Sequence, residues 1–236
     1  MLWLLTPCIA WQSAIAVDPS VEASVWELAR QRMVVEQIEA RGVESVSVLT
    51  AMVAVERHRF VPESMEALAY SDRPLPIGEE QTISQPYIVA LMTELSGAGP
   101  GSKVLEVGTG SGYQAAVLAA VGAEVYSIEI LAGVAKLGRD ALEAAGFSRV
   151  HTRIGDGYRG WPEAAPFDAI VVTAAPGHVP QPLLEQLAVG GRMVIPVGER
   201  TQQLMVLERT TQGIEQRVVI PVLFVPMTGE AETIRR

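Results

Sequence analysis

The chain has 236 residues, enough for one α/β domain with an appended segment. Its composition, 49% apolar and 19% charged, favours a well-buried core over disorder. A formal net charge of −9, with no run of Lys or Arg, argues against a nucleic-acid partner, whose phosphates such a surface would repel.

Met1 to Val17 carries no charged side chain, and Ala14-Ile15-Ala16 has the form of an export cleavage site. The basic residues that usually open an export signal are missing, Pro7 interrupts the apolar run, and the stretch is short for a membrane span. Residues 1–20 are therefore set apart as an apolar leader. Its first 16 residues are either an export signal or the product of a mis-assigned start codon. Cys8 stands alone, which rules out an internal disulfide and a cysteine-based metal site. His58, His151 and His178 lack metal-ligand spacing, so no metal centre is expected.

Residues 21–236 read as a single domain in three parts. In the first, residues 21–100, apolar positions such as Trp26, Ala29, Met33 and Ile38, then Val46, Leu49, Met52 and Val53, recur near helical spacing up to about Ala69, with a break at Gly42. Pro62, Pro74, Pro76 and Gly78 mark a loop-rich connection. Ser84-Gln85-Pro86 predicts a helix entry, with Ser84 able to cap and Pro86 tolerated in the first turn; the helix ends near Gly97.

The second part, residues 101–200, alternates strand and helix patterns. Strands are predicted over Val104–Val107, Glu124–Ile128, Val150–Ile154, Phe167–Thr173 and Arg192–Val197. Helices are predicted over Tyr113–Val121, Gly133–Ala145 and Leu183–Leu187. Such alternation implies a mostly parallel sheet with right-handed crossovers and helices on both faces, a Rossmann-like α/β fold. In the third part, residues 201–236, Gln203–Arg209 and Gln216–Val225 flank Thr211-Gln212-Gly213 and predict an antiparallel hairpin on the sheet edge.

The chemistry concentrates at the first of these strands. Val104–Val107 runs into Gly108-Thr109-Gly110-Ser111-Gly112, and Glu129 follows the next strand. Glycines at the end of a strand let backbone approach a nucleotide-like ligand, and a carboxylate at the tip of the second strand can accept ribose hydroxyls. The spacing G-x-G-x-G differs from the G-x-G-x-x-G of dinucleotide sites. Glu106 precedes the first glycine by two positions, where a negative charge would sit poorly beside a pyrophosphate. It suits a cofactor whose non-adenosine end is cationic, and S-adenosylmethionine fits. A structural glycine-rich turn in an unrelated α/β domain is the competing reading.

In open α/β sheets the ligand lies across the carboxyl ends of the strands. There Asp156 can accept from the adenine amino group, with Gly155 and Gly157 leaving room for the base; the plainer alternative is a turn aspartate. Thr173, Ala174 and Ala175 face the reacting centre. Apart from His178, no His, Cys or Lys falls near the strand tips. The acceptor is therefore expected to be already ionised, such as a carboxylate, with alignment and exclusion of water as the catalytic task.

The chain resembles the protein-L-isoaspartate O-methyltransferases. The resemblance is carried by Arg57-His58-Arg59-Phe60-Val61-Pro62, Leu75-Pro76-Ile77-Gly78, Thr82-Ile83-Ser84-Gln85-Pro86-Tyr87, the glycine loop with Glu106 and Tyr113, Gly155-Asp156-Gly157, and Val225-Pro226-Met227-Thr228. It covers roughly Met33 to Thr228, and the segment around Ser84 is its most family-specific part. The resemblance implies methyl transfer from S-adenosylmethionine to the free carboxylate of L-isoaspartyl residues in damaged proteins and peptides. The ester then closes spontaneously to a succinimide that reopens partly to aspartate. It implies that Ser84 is the active-site residue, orienting the carboxylate without acting as a covalent nucleophile. It also implies a sheet whose last strands are rearranged.

The expected site is therefore Ser84 for catalysis and Glu106, Gly108, Thr109, Gly110, Gly112, Glu129, Asp156 and Gly157 for the cofactor. A cytoplasmic monomer is expected, with export as the alternative if the leader is a signal and no other membrane partner. The leader is the departure from common cytoplasmic members. Two rivals remain: a small-molecule methyltransferase on the same fold, and a binding module that keeps the loop but transfers no methyl group.

Overall fold

The computed structural model describes residues 19–233, so nearly all of the predicted leader, Cys8 included, lies outside the described residues. Helix α1 (Pro19–Met33) continues through a wider helical turn at Val34–Ile38 and a tighter one at Glu39–Arg41. Gly42 ends this run at φ 90°, a left-handed conformation that glycine adopts without a Cβ penalty. Helix α2 (Val46–Ala54) follows, then two short 3-10 turns at Arg57–Phe60 and Glu63–Leu68.

The expected loop after Pro74 instead holds an antiparallel hairpin of β1 (Leu75–Gly78) and β2 (Gln81–Ile83). Leu75, Ile77 and Ile83 are buried; Pro74, Pro76 and Gly78 obscured that alternation in the sequence. Helix α3 (Pro86–Ser96) has Pro86 in its first turn and stops at Gly97 (φ 70°), as expected. Its N-cap is Gln85, with no side-chain capping bond, so Ser84 is not the cap: it lies one residue too early.

The core then alternates: β3 (Lys103–Val107), α4 (Tyr113–Ala120), β4 (Glu124–Glu129), α5 (Ala132–Ala144), β5 (His151–Ile154), β6 (Phe167–Val172), α6 (Gln181–Glu185), β7 (Leu187–Val197). The tail adds β8 (Gln202–Thr210), β9 (Gly213–Val222) and α7 (Glu230–Thr233). The seven-stranded sheet has the order β5-β4-β3-β6-β7-β8-β9, parallel from β5 to β7 and antiparallel beyond.

Two boundaries differ from the sequence expectation for local reasons. Strand β7 starts at Leu187, paired to Phe167, and an irregularity precedes the next pair, Ala169 with Arg192; Gly190 (φ 86°) and Gly191 break the strand pattern there. Strand β9 stops at Val222, not Val225. Its continuation leaves the sheet, where Val225 accepts from the Ala175 amide (2.8 Å) and the Met227 amide donates to Ala175 (2.9 Å).

Alternate residues of β3 divide between two cores. Val104 joins side chains of α2 to α5, while Leu105 and Val107 face Tyr158, Leu183 of α6, Met227 and Ala231 of α7. Both faces of this buried parallel strand are thus covered, which explains why its apolar residues, Val104, Leu105 and Val107, point to both sides, with Glu106 the buried exception. The chain builds β3, β4 and β5 in one direction, then crosses back to lay β6 on the other flank of β3. That reversal opens a crevice at the carboxyl ends of β3 and β6.

The crevice floor depends on close backbone packing. A Cβ on Gly138 of α5 would lie 2.6 Å from the carbonyl oxygen of Gly110 and 2.8 Å from Cγ2 of Thr109. Gly138→Val should therefore destabilise the protein by about 1–3 kcal/mol through overpacking, seen as a lower midpoint in denaturant unfolding. An unchanged midpoint would show that the loop yields freely.

Candidate cofactor and substrate site

The glycine loop closes one side of the crevice. Gly108, Gly110 and Gly112 have φ of 96°, 53° and 87°, a region unfavourable to side-chain-bearing residues. A Cβ on Gly108 would collide with the hydroxyl of Thr173 at the end of β6. That hydroxyl donates to the carbonyls of Gly108 (2.8 Å) and Val107 (3.0 Å), pinning the two strand ends together. Thr173 and Ala174 line the cleft as expected, whereas Ala175 is committed to backbone pairing with the tail.

Glu106 is fully buried beneath the loop. Ser127 donates to its Oε2, and Ser127 in turn is 2.6 Å from the hydroxyl of Thr109. Oε1 is buried without a hydrogen-bond partner. Burial pushes the carboxyl up to about 8, against a lesser downward pull from Ser127, with the nearby Glu129 charge adding to the rise. A buried carboxyl with one free oxygen, in the wall of the cleft, fits the cationic methionine end of S-adenosylmethionine.

Glu129, at the tip of β4, is also buried and lines the same cleft. Its carboxylate accepts from the amides of Gly110 (3.1 Å), Ile130 (2.9 Å) and Leu131 (3.1 Å). It therefore also braces the loop; Oε1 takes both the Ile130 and Leu131 amides, while Oε2, with only the Gly110 amide, keeps acceptor capacity for a ribose hydroxyl.

Asp156 is placed differently from Gly157. Gly157 lines the cleft, and a Cβ there would collide with Val107. The Asp156 carboxylate instead accepts from the amides of Tyr158 (2.9 Å) and Glu230 (2.8 Å), capping a short turn and holding the C-terminal segment. The turn role is thus present, and Asp156 itself is not among the residues lining the cleft.

Ser84 stands where two cavities meet. Counting all space between atoms, including that open to solvent, the cofactor cleft holds about 800 Å³ and a neighbouring groove about 1140 Å³. Both are lined by Thr82, Ser84, Thr173 and Val225. The Ser84 hydroxyl makes no hydrogen bond to any other described residue. A polar group left free at such a junction is available to an acceptor molecule. No His, Lys or Cys lines the cleft among the described residues, and the His178 ring lies outside it, 2.8 Å from the Tyr158 hydroxyl.

Sequence reasoning missed Arg41 and the segment Ile220–Phe224, which line the groove. Arg41 gave no signal, because it approaches Ser84 only through the fold. The exposed Leu223 (86%) could have been noticed as an apolar residue just beyond an edge strand. Arg57, from the motif near Pro62, is buried with its guanidinium 4.9 Å over the ring of Tyr113, the first residue after the glycine loop.

The model of the family described as Protein-L-isoaspartate(D-aspartate) O-methyltransferase matches residues 29–232. A Protein-L-isoaspartate O-methyltransferase of Gloeobacter violaceus is 60% identical over 84% of this chain and 98% of its own. One from Picosynechococcus is 58% identical over 86% of this chain and 91% of its own. The chain belongs to this family.

Solved structures agree with that membership. A protein-L-isoaspartate O-methyltransferase superposes with a TM-score of 0.79 at 30% identity, covering 86% of this chain and 67% of that one. A putative one from Plasmodium falciparum, in complex with S-adenosyl-L-homocysteine, gives 0.75 at 25% identity, covering 84% and 98%.

Within the family fold, Glu106 sets a measurable pH response. Its folded pKa of about 8 lies above the ordinary 4.5. Between those values the folded state holds a proton that the unfolded state releases, so stability falls as pH rises through that window. Glu106→Gln should flatten this decline in the ligand-free protein, by about 2–4 kcal/mol between pH 5 and 8. Thermal unfolding across that range checks it; parallel curves for the two proteins would show that burial does not hold the proton.

Proposed function

We infer that this protein is an S-adenosylmethionine-dependent repair methyltransferase that esterifies the free carboxylate of L-isoaspartyl residues in proteins and peptides. The observation that carries the reading is the unpartnered Ser84 hydroxyl at the junction of the cofactor cleft with the open groove. Family membership and the S-adenosyl-L-homocysteine complex of the Plasmodium falciparum neighbour support the choice of cofactor.

Glu106 would hold the cationic methionine end, Gly108, Thr109, Gly110 and Gly112 would approach it with backbone, and Glu129 would take the ribose. Gly157 would leave room for the base, and Asp156, beside it in the chain, would accept from the adenine amino group with the acceptor positions that its two amide bonds leave open. When bound, S-adenosylmethionine supplies an electrophilic methyl that a carboxylate oxygen takes as the carbon–sulfur bond breaks and its electron pair returns to sulfur. Ser84 donates a hydrogen bond to the acceptor carboxylate and fixes its direction. No base is required, because such a carboxylate is already ionised at neutral pH. The walls at Thr173, Ala174 and Val225 keep water from the pair. The ester leaves the enzyme and closes to a succinimide without further catalysis.

No helix among the described residues is long and apolar enough to cross a membrane. Because S-adenosylmethionine is made in the cytoplasm, that compartment suits the activity, with a monomer acting on damaged proteins.

The deciding assay is methyl transfer from labelled S-adenosylmethionine to paired peptides differing only in L-isoaspartate against L-aspartate. Transfer to the isoaspartyl peptide alone is expected; confirmed cofactor binding with transfer to neither would leave a small-molecule enzyme or a binding module. Ser84→Ala should lower kcat/KM about ten- to hundredfold, the range for a hydrogen bond to a charged group, with cofactor affinity nearly unchanged. Full activity in that variant would remove Ser84 from the mechanism. Affinity for S-adenosylmethionine should tighten by up to about tenfold between pH 6 and 7, since its cation requires ionised Glu106. Calorimetry on wild type and Glu106→Gln tests this, and an equal slope in both would assign the titration elsewhere.

A further inference from the structure

Arg41 is the only cation lining either cavity among the described residues. It ends the tight helical turn before Gly42 and points into the groove that also holds Ser84. Its guanidinium stacks on the Tyr87 ring, 3.5 Å from the centroid, and one nitrogen donates to Asp72 Oδ2 (3.1 Å). Asp72 also accepts from the Gln85 side chain at Oδ1 (2.7 Å), the residue next to Ser84. The group is thus held in place while 42% of its side chain stays exposed. An arginine offers five N–H donors, and the rest of this fork makes no hydrogen bond to a described residue.

A fixed, partly free guanidinium recognises a carboxylate. Which carboxylate follows from the reaction. The acceptor carboxylate loses its negative charge as it becomes an ester. A cation paired tightly with it would stabilise the ground state more than the transition state and slow transfer. The neutral Ser84 hydroxyl suits the reacting group, and Arg41 suits an anion that survives the reaction.

We propose that Arg41 is a specificity-determining residue that binds an acidic side chain of the substrate peptide flanking the isoaspartyl residue. This rests on the methyltransferase reading above. One anchored cation in the groove would offset, at that point, the repulsion an acidic segment meets from a protein of net charge −9.

The test uses the full-length enzyme and a set of isoaspartyl peptides carrying Asp, Asn or Lys at each of the two positions on either side. For the wild type, kcat/KM should favour Asp over Asn by about three- to fivefold at one of these positions, the range for a half-exposed ion pair. The preference should enter through KM and shrink in high salt. Arg41→Gln should bring the Asp/Asn ratio to one, whereas Arg41→Lys should keep part of it. Reading a ratio within each enzyme separates recognition from any general loss caused by unstacking from Tyr87. A wild-type ratio of one or less at every position, or a ratio that survives Arg41→Gln, overturns the proposal. Failure of the Asn-flanked isoaspartyl peptides to accept methyl from the wild type would instead sink the underlying reading, and this proposal with it.

Discussion

Between Gly112 and Gly138 the fold leaves no room for a side chain: a Cβ on Gly112 would lie 2.8 Å from the Gly138 carbonyl oxygen and 2.9 Å from Leu142 Cγ. This contact seats the loop after β3 directly on α5. The other end of the loop is tied to β6 by the Thr173 hydroxyl, and its middle to β4 by the Glu129 carboxylate. The backbone of residues 108–112 is therefore fixed from three sides before any ligand arrives. Preorganised in this way, the loop need not lose further conformational freedom when a cofactor binds.

That rigid floor allows charge to be graded along the site. At the buried end, Glu106 is held protonated or nearly so at neutral pH by burial. A resident anion there would be costly in the absence of a cation, and a cation entering the cleft restores the charge and satisfies the free oxygen together. At the junction stands a neutral hydroxyl, Ser84, where the proposed reaction would annihilate opposite charges. At the open end is a single guanidinium, Arg41. On the proposed reading the strongest charges would sit away from the bond being made, where they would orient without stabilising the reactants in place.

Much of this arrangement was legible in the sequence because it is local. The strand, glycine loop and helix around Gly108–Gly112 are contiguous, and Glu106 and Glu129 sit at strand positions whose direction follows from pleat and period. The parallel order and the edge hairpin followed from alternating patterns. What stayed hidden is non-local or masked by turn residues. Pro74, Pro76 and Gly78 disguised β1 and β2, and Gly190 with Gly191 disguised the start of β7. Arg41 shares a groove with Ser84 only because the fold brings the end of one helical run against Asp72 and Tyr87, more than thirty residues later in the chain. No spacing rule encodes that meeting.

Asp156 shows how one side chain can link the cleft to the chain end. Its flanking glycine, Gly157, reaches the cleft, yet both carboxylate oxygens accept backbone amides, one from the turn beside it and one from Glu230. Gly229 packs so closely that a Cβ there would lie 2.7 Å from Asp156 Oδ2. Arg159, one turn on, pairs with Glu230 at 2.6 Å. Upstream of this latch, Met227 and Thr228 line the cleft, and the tail is pinned again where Ala175 meets Val225 and Met227. The segment between the two attachments therefore forms part of the cleft wall. Opening that wall means breaking one latch held by the Asp156 carboxylate and the Arg159–Glu230 pair, which side-chain substitution can remove, and one short parallel bridge of backbone hydrogen bonds, which it leaves intact. The tail that leaves the sheet after β9 is accordingly a structural part of the cofactor site, and its departure from the strand pattern is what allows it to reach there.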